Sequence, residues 1–411
     1  MAPADVADAV ARRSYGKLVA FLASRTRDVA AAEDALSDAF AAALADWPRK
    51  GCPENPEAWL LTAARRRMVD LARRRQVAAN ATEELLAVLR RNRGESGSAI
   101  PDDRLAMLFA CAHPAIDAGV RAPLLLQAVL GLDAKTIASA FLTSPAAMSK
   151  RLVRAKEKIR EAGIPFRVPE RENLPERLGT VLDAVYAAFA EGWTDPGGTD
   201  AARRDLTQEA IFLARLVNEL LPGEPEAAGL LALMLHAEAR RNARRDADGE
   251  YVPLAEQDPA LWDVRLISEA EALLDRAASM GAIGRFQLEA ALQSAHVHRC
   301  RTRNGNWSAV VTLYDALLAV APTPVVGINR ALAVSESQGP HAGLAALDAV
   351  AGDPRVAEYQ PYWAARADLF AKIGARDKAL HAYDVAIGLE RDAAVRRFLQ
   401  KRRTLLREAG I

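Results

Sequence analysis

The chain has 411 residues, 51% apolar and only 6% aromatic, enough for two to four domains with a sizeable core. The net charge of +1 hides an asymmetry: residues 1–169 hold 26 Lys and Arg against 19 Asp and Glu, and residues 170–411 hold 28 against 34, the pattern of a basic nucleic-acid module joined to an acidic domain. Three scattered cysteines, Cys52, Cys111 and Cys300, exclude a disulfide framework and a zinc knuckle. The N-terminus lacks an apolar leader core and no stretch reaches membrane-spanning length, so a cytoplasmic protein with no membrane partner is expected.

Alanine, leucine and arginine dominate, β-branched segments are few, and helical periodicity recurs throughout, which predicts an all-α fold. The first unit runs from about Ser14 to Gln76. Its middle helix, Asp28 to Trp47, places Val29, Leu36, Phe40, Leu44 and Trp47 inside and leaves Glu33, Asp34 and Asp38 outside as an acidic stripe. Pro48 to Pro56 break that helix. Asn55-Pro56 is a cap-plus-proline start for EAWLLTAARRRMVDLARRR, which buries Leu60, Ala64, Met68 and Leu71 and sets Thr62, Arg66, Asp70 and Arg73 on another face. Six arginines between Arg65 and Arg75 exceed what solubility requires; a phosphate-contacting surface explains them better than a solvated face. Val77 to Asp103, ending in NRGESGSAIPDD, reads as a linker with a short helix near Glu84 to Arg91.

A second unit, Arg104 to about Val168, contains DAKTIASAFLTSPAAMSKRLVRAKEKIR, which reads as a helix-turn-helix. Lys135 to Phe141 is the first helix, Leu142-Thr143 the turn, and Ser144-Pro145 the cap and first position of the second helix. Along that helix Met148, Leu152, Ala155 and Ile159 point inward, while Ala147, Lys150, Arg151, Arg154 and Lys158 share the opposite face. Small residues at the start and long cations behind them suit a helix that approaches base edges with its first turns and holds phosphates with the rest. An ordinary amphipathic helix with a solvated basic face is the alternative. The unit closes at the helix stop Gly163-Ile164-Pro165.

Residues 170–285 form helices separated by Pro, Gly and acidic loops, with apolar helices at Leu206 to Leu221 and Ala227 to Arg240. After Phe286, VVTLYDALLAVAPTP, AGLAALDAVAGDP and KALHAYDVAIGLERD recur, with Tyr314, Leu347 and Tyr383 spaced by 33 and 36 residues, near the 34 of tetratricopeptide repeats. Such hairpins either present a concave surface to a peptide or another domain, or pack as a scaffold. Enzyme signals are weak. In HVHRC, His298 points away from His296 and Cys300 on a helix, and Asp246-Ala-Asp248-Gly249-Glu250 lacks the later ligands of a calcium loop and reads as a turn. With no Walker loop and no nucleophile elbow, neither an enzyme nor a metal or cofactor is expected.

The acidic-striped helix with AEDALSDAF, the WLLTAARRRMVD helix, a linker, and TIASAFLTSPAAMSKRLVRAKEKIR resemble regions two and four of the extracytoplasmic-function sigma factors, which direct bacterial RNA polymerase to promoters. DDRLAMLFACAHPAI, EAGIPFRVP, LLPGEPEAAGLLALMLHAEARR and the tail resemble the subgroup with a long tetratricopeptide-like extension. The implied division is region two over residues 1–76, a linker over 77–103, region four over 104–168, a helical extension over 169–285 and repeats over 286–411. The implied partners are promoter DNA and core RNA polymerase, through its largest-subunit clamp helices and its flap. On that resemblance Glu33, Asp34, Asp38 and Phe40 dock on the clamp helices. Lys50, Asn55, Thr62, Arg65, Arg66, Asp70, Arg73 and Arg74 serve the minus-ten element, where the loop Lys50 to Asn55 captures a flipped base, and Ser144, Ala146, Ala147, Lys150, Arg151 and Arg154 read the minus-thirty-five element. Two positions depart from the family pattern, Arg66 where asparagine is common and Thr136 where glutamate is, and both bear on promoter sequence. The extension is expected to regulate the sigma modules, either by masking their DNA surfaces through contact within the chain or by being required for activity, bracing them or touching polymerase. The alternative is a helix-turn-helix regulator with a tetratricopeptide sensor that is not a polymerase subunit.

Overall fold

The computed structural model describes residues 3–74, 103–140, 143–167, 169–170, 172–193, 201–302 and 306–408. Among them are eighteen α-helices and no strand, divided between two compact units, residues 1–217 and 218–411. The expected all-α class holds. Most of the 77–103 linker, with its short helix, and Phe141-Leu142 lie outside the described residues.

The first unit begins with three helices, α1 (Pro3–Thr26), α2 (Val29–Lys50) and α3 (Pro56–Arg74). Arg27, at φ 57°, makes the sharp corner between α1 and α2, and the Asp28 carboxylate accepts from Ala31 N at 2.9 Å to cap α2. Leu18, Leu36, Trp47 and Leu60 are fully buried at their junction, with Trp47 and Trp59 edge to face at 5.5 Å. Two expectations for α2 need correction. Leu44 is 54% exposed, because the stripe that faces the neighbouring helices consists of Val29, Ala32, Ala35, Leu36, Ala39, Ala43 and Trp47. The helix also runs through Pro48 to Lys50 and stops at Gly51, φ 85°. A proline so near the end costs one backbone bond, to the carbonyl of Leu44 on the solvent side.

Four further helices follow: α4 (Arg104–Cys111), α5 (Ala118–Leu130), α6 (Ala134–Ala140) and α7 (Pro145–Glu161). Gly16 is what lets α1 meet α5 closely, since a Cβ there would lie 1.7 Å from the Val129 carbonyl oxygen. Helices α8 (Leu174–Trp193) and α9 (Ala201–Leu220) complete the unit. Arg177 of α8 donates to the Phe109 carbonyl at 3.4 Å, and buried Arg104 pairs with Glu209 of α9 while its guanidinium stacks 4.5 Å over Phe212.

In the second unit α10 (Pro225–Ala239) is apolar on nearly every side and lies between α11 (Val264–Ser279) and α12 (Arg285–Thr302). The Glu226 carboxylate accepts from Phe286 N at 3.0 Å and Gln287 N at 3.1 Å, closing the N-terminus of α12 with a negative charge where the helix dipole favours one. The remaining helices, α13 (Trp307–Val320), α14 (Pro324–Gln338), α15 (Pro340–Asp348), α16 (Gln360–Lys372), α17 (Arg376–Leu389) and α18 (Ala393–Glu408), pack against their neighbours in succession. Leu347 and Tyr383 are buried within this series, and Tyr314 is sunk far enough that burial pushes its phenol up to about 12. Asp246 accepts from Asp248 N at 3.0 Å and Glu250 N at 2.9 Å, so DADGE is a turn.

His236 of α10 has no exposed side-chain surface and neither ring nitrogen has a hydrogen-bond partner. Glu271 approaches Nε2 at 3.4 Å but is 42% exposed and accepts from Ser294, so burial, with Arg240 adding to it, dominates and holds the imidazole down to about 4. The folded state therefore binds fewer protons than the unfolded chain between about 6.5 and about 4, and stability present above that window is lost as pH falls through it. Chemical denaturation of the full chain should show a loss of up to about 3 kcal/mol attributable to this group. His236→Leu should flatten that part of the profile, and an unchanged profile in the variant contradicts the assignment.

Candidate nucleic-acid interface

The two helices of the expected DNA reader form for local reasons. Asp133 accepts from Thr136 N at 2.7 Å at the start of α6, and these backbone bonds hold its carboxyl below the usual range. Ser144 Oγ accepts from Ala147 N at 3.2 Å, and Pro145 opens α7. Met148, Leu152, Ala155 and Ile159 are buried. Ser144, Ala146, Lys150, Arg151, Arg154 and Lys158 are exposed and Ala147 is half-buried. The sequence reading missed Val153, an exposed valine one turn after Lys150 among these cations; its spacing from Ala146 and Lys150 is the signal that marks it.

On α3, Asn55 Oδ1 accepts from Ala58 N at 3.0 Å, so this side chain caps the helix, and Lys50 pairs with Asp46 at 2.9 Å on the surface. Thr62, Arg66 and Asp70 are exposed, with the Thr62 hydroxyl donating to the Ala58 carbonyl at 2.8 Å. Arg65 departs from the group expected with Arg66: it turns into the bundle, 5.1 Å over the Phe21 ring, where burial lowers its pKa and its Nε has no hydrogen-bond partner. The side chains of Leu71, Arg73 and Arg74 lie outside the described residues.

The acidic stripe is where the structure departs most from expectation. Asp34 and Asp38 are exposed, Asp38 lying 3.8 Å from Arg67, and Phe40 is half-buried, stacked 6.4 Å from Tyr15. Glu33 is not on the outside. Its Oε2 accepts from Nζ of Lys156 at 2.5 Å, with the two side chains only 18% and 10% exposed. Burial raises the Glu33 carboxyl above its usual value despite the pull of Lys156. The same enclosure pushes the Tyr15 phenol and the Cys111 thiol each up to about 12, burial first and Glu33 second. Lys156 follows Ala155 and lies one turn beyond Leu152, on the flank of the buried stripe of α7; that position was its only sequence signal. The pair joins α2 to α7, so the acidic face and the basic helix share a buried contact.

Residues 10–77 match the family described as Sigma-70 region 2, and residues 177–278 match a family of unknown function (DUF6596). An uncharacterized protein of Rhizobium meliloti (strain 1021) is 39% identical over 374 residues, covering 90% of this chain and 88% of its own length. No solved structure matches. None of the described helices is long and apolar enough to cross a membrane.

Removing one partner of a buried ion pair leaves the other charge uncompensated, at a cost of about 3–5 kcal/mol. Lys156→Met should destabilise the chain by about that amount in denaturant melts, and Lys156→Met with Glu33→Gln should recover much of it; equal losses in the single and double variants contradict the pairing. Neutralising Lys150, Arg151 and Arg154 should reduce the slope of log affinity for duplex DNA against log salt by about 0.9 for each phosphate that is no longer neutralised. An unchanged slope removes this face from the DNA interface.

Proposed function

The chain belongs to one family with the rhizobial protein and carries sigma-70 region 2 at its N-terminus, and from that premise we propose that it is an RNA polymerase sigma factor of the extracytoplasmic-function type, with a C-terminal extension that regulates it. The observation that carries this reading is the conjunction, in one compact unit, of region 2 with a capped helix whose inner stripe is buried and whose outer face shows Lys150, Arg151 and Arg154. Region 2 alone supports polymerase and promoter binding in general. The added basic helix supplies the second, minus-thirty-five contact of a two-part promoter.

Each site residue takes a role consistent with its exposure. Asp34 and Asp38 offer negative charge to a basic surface such as the polymerase clamp helices, with exposed Leu44 adding apolar area on the same helix. Thr62, Arg66 and Asp70 face DNA at the minus-ten element, where holding an unstacked base offsets the cost of opening the duplex. Ser144, Ala146 and Ala147 approach base edges while Lys150, Arg151 and Arg154 hold phosphates. Glu33 is withheld from polymerase while Lys156 holds it, so docking through Glu33 requires α7 to leave α2. The paired helices beyond residue 306 are tetratricopeptide-like in spacing and suit a regulatory contact with the sigma modules or with polymerase.

Run-off transcription with sigma-free core polymerase on a genomic fragment library tests the reading, using the full chain and a chain cut after Leu221, past α9. Discrete transcripts are expected. More transcription from the shortened chain assigns masking to the extension, and less assigns bracing. Neither transcripts nor core binding from either folded protein contradicts the sigma reading and favours an operator-binding regulator.

A further inference from the structure

At the C-terminal end of α10 the second unit keeps a positive charge inside. Arg240, the residue that ends the helix, is 8% exposed. Its Nε donates to the His236 carbonyl at 3.2 Å and its Nη2 to Oε1 of Gln293 at 2.5 Å, both neutral acceptors. Neighbouring arginines are treated differently: Arg241 pairs with Glu238 at 2.8 Å and Arg245 with Asp392 at 2.5 Å. Arg240 has no carboxylate partner among the described residues. The ionisable groups that favour its charge are the Cys300 thiol and the Tyr251 phenol, neither of them a carboxylate. The carbonyls at the end of α10 supply only a partial negative charge. A buried guanidinium is ordinarily paired with an anion, and the described residues provide none here.

The opposing helix faces this charge with unpartnered polar atoms. Gln293, His296 and Arg299 recur every three residues on one side of α12. His296 Nδ1 and Arg299 Nε are buried without hydrogen-bond partners. The Arg299 guanidinium is fixed 4.8 Å over the Trp307 ring, and His296 meets the same ring edge-on at 6.4 Å. Burial, Arg299 and Arg240 together hold His296 unprotonated, down to about 4, so the imidazole adds no charge of its own yet feels both guanidinium groups. Two cations, an imidazole nitrogen and a buried environment form a set that lacks only an acceptor with several lone pairs. An oxyanion meets that need, because a guanidinium fork binds carboxylate and phosphate oxygens in pairs.

We propose that the junction between the end of α10 and the Gln293–Arg299 side of α12 binds a small oxyanion, a phosphate or carboxylate group, with Arg240 as its principal ligand and Arg299 and His296 at its border. The site lies outside the sigma modules and does not depend on the sigma reading. It gives the C-terminal unit a ligand of its own.

The test is thermal melting and calorimetry of the full chain titrated with inorganic phosphate and with succinate, each against sodium chloride at matched ionic strength. One of the two anions should raise the melting temperature saturably, with one site per chain, and which one does so separates a phosphate from a carboxylate ligand. Arg240→Met should bind at least tenfold more weakly, and should melt no lower than the parent in anion-free buffer, since it removes an uncompensated charge. Arg240→Lys should fall between the two, keeping the charge and losing the fork. The His296 imidazole resonances of the parent protein should shift on titration, which keeps the test decisive if the variants fail to fold. Absence of a saturable response to either anion, an equal response in a folded Arg240→Met chain, or unmoved His296 resonances overturns the proposal.

Discussion

The buried pair between Glu33 and Lys156 is the constraint on which the first unit turns, because it connects a helix of region 2 to the basic helix α7 across 123 positions of sequence. A buried ion pair contributes little net stability, since desolvating two charges cancels most of their attraction. What it contributes is register. Once Lys156 meets Glu33, the rotation of α7 about its own axis is set, and with it the direction in which Lys150, Arg151 and Arg154 face. The close approach of Gly16 to the Val129 backbone and the stacking of Phe40 on Tyr15 act beside it, so that α1, α2, α5 and α7 hold one another in place.

In the second unit the corresponding problem is how to seat polar groups around an apolar central helix. Glu226 solves it at one end of α10 by capping α12. At the other end His236 and Arg240 are accommodated less completely, the first as a neutral imidazole without partners and the second as a cation resting on neutral oxygens. Groups left this way are uncommon in protein interiors, and they concentrate where a ligand or a change of state supplies what is missing. Both residues fall within the stretch that matches the family of unknown function.

Much of the architecture was legible in the sequence because its signals are local. Helix α7 declares itself through Ser144, Pro145 and a run of inward residues at helical spacing, and every one of those inward positions is buried. Helix α2 was legible in its capped start and in Val29, Leu36 and Trp47 of its inner face, but not in its end beyond Pro48 or in the outward turn of Leu44. Its inner stripe is built largely of Ala32, Ala35, Ala39 and Ala43, and a pattern weighted by large side chains follows Leu44 to the exposed face, with Phe40 half-buried at the edge. Small residues face the core there because neighbouring helices come close, which is a property of the neighbours. The inward turn of Arg65 over Phe21 and the capture of Glu33 by Lys156 are of the same kind. Each joins residues far apart in the chain, and no periodicity within one helix carries it. Similarly, the stop at Gly163 ends α7, yet the first compact unit continues to Val217, because Glu209 on α9 meets Arg104 on α4.

Under the proposed docking of polymerase through Glu33, α7 has to leave α2, whereas Asp34 and Asp38 are exposed without any such separation. Spin labels placed at two exposed positions, Ala41 on α2 and Lys158 on α7, report this pairing directly through their distance distribution with and without core RNA polymerase. A single short distance in the free protein that lengthens on adding core polymerase is the expected result. A distance that stays short in a complex with polymerase contradicts it, and shows that the face of α2 which holds Lys156 is not the face that polymerase uses.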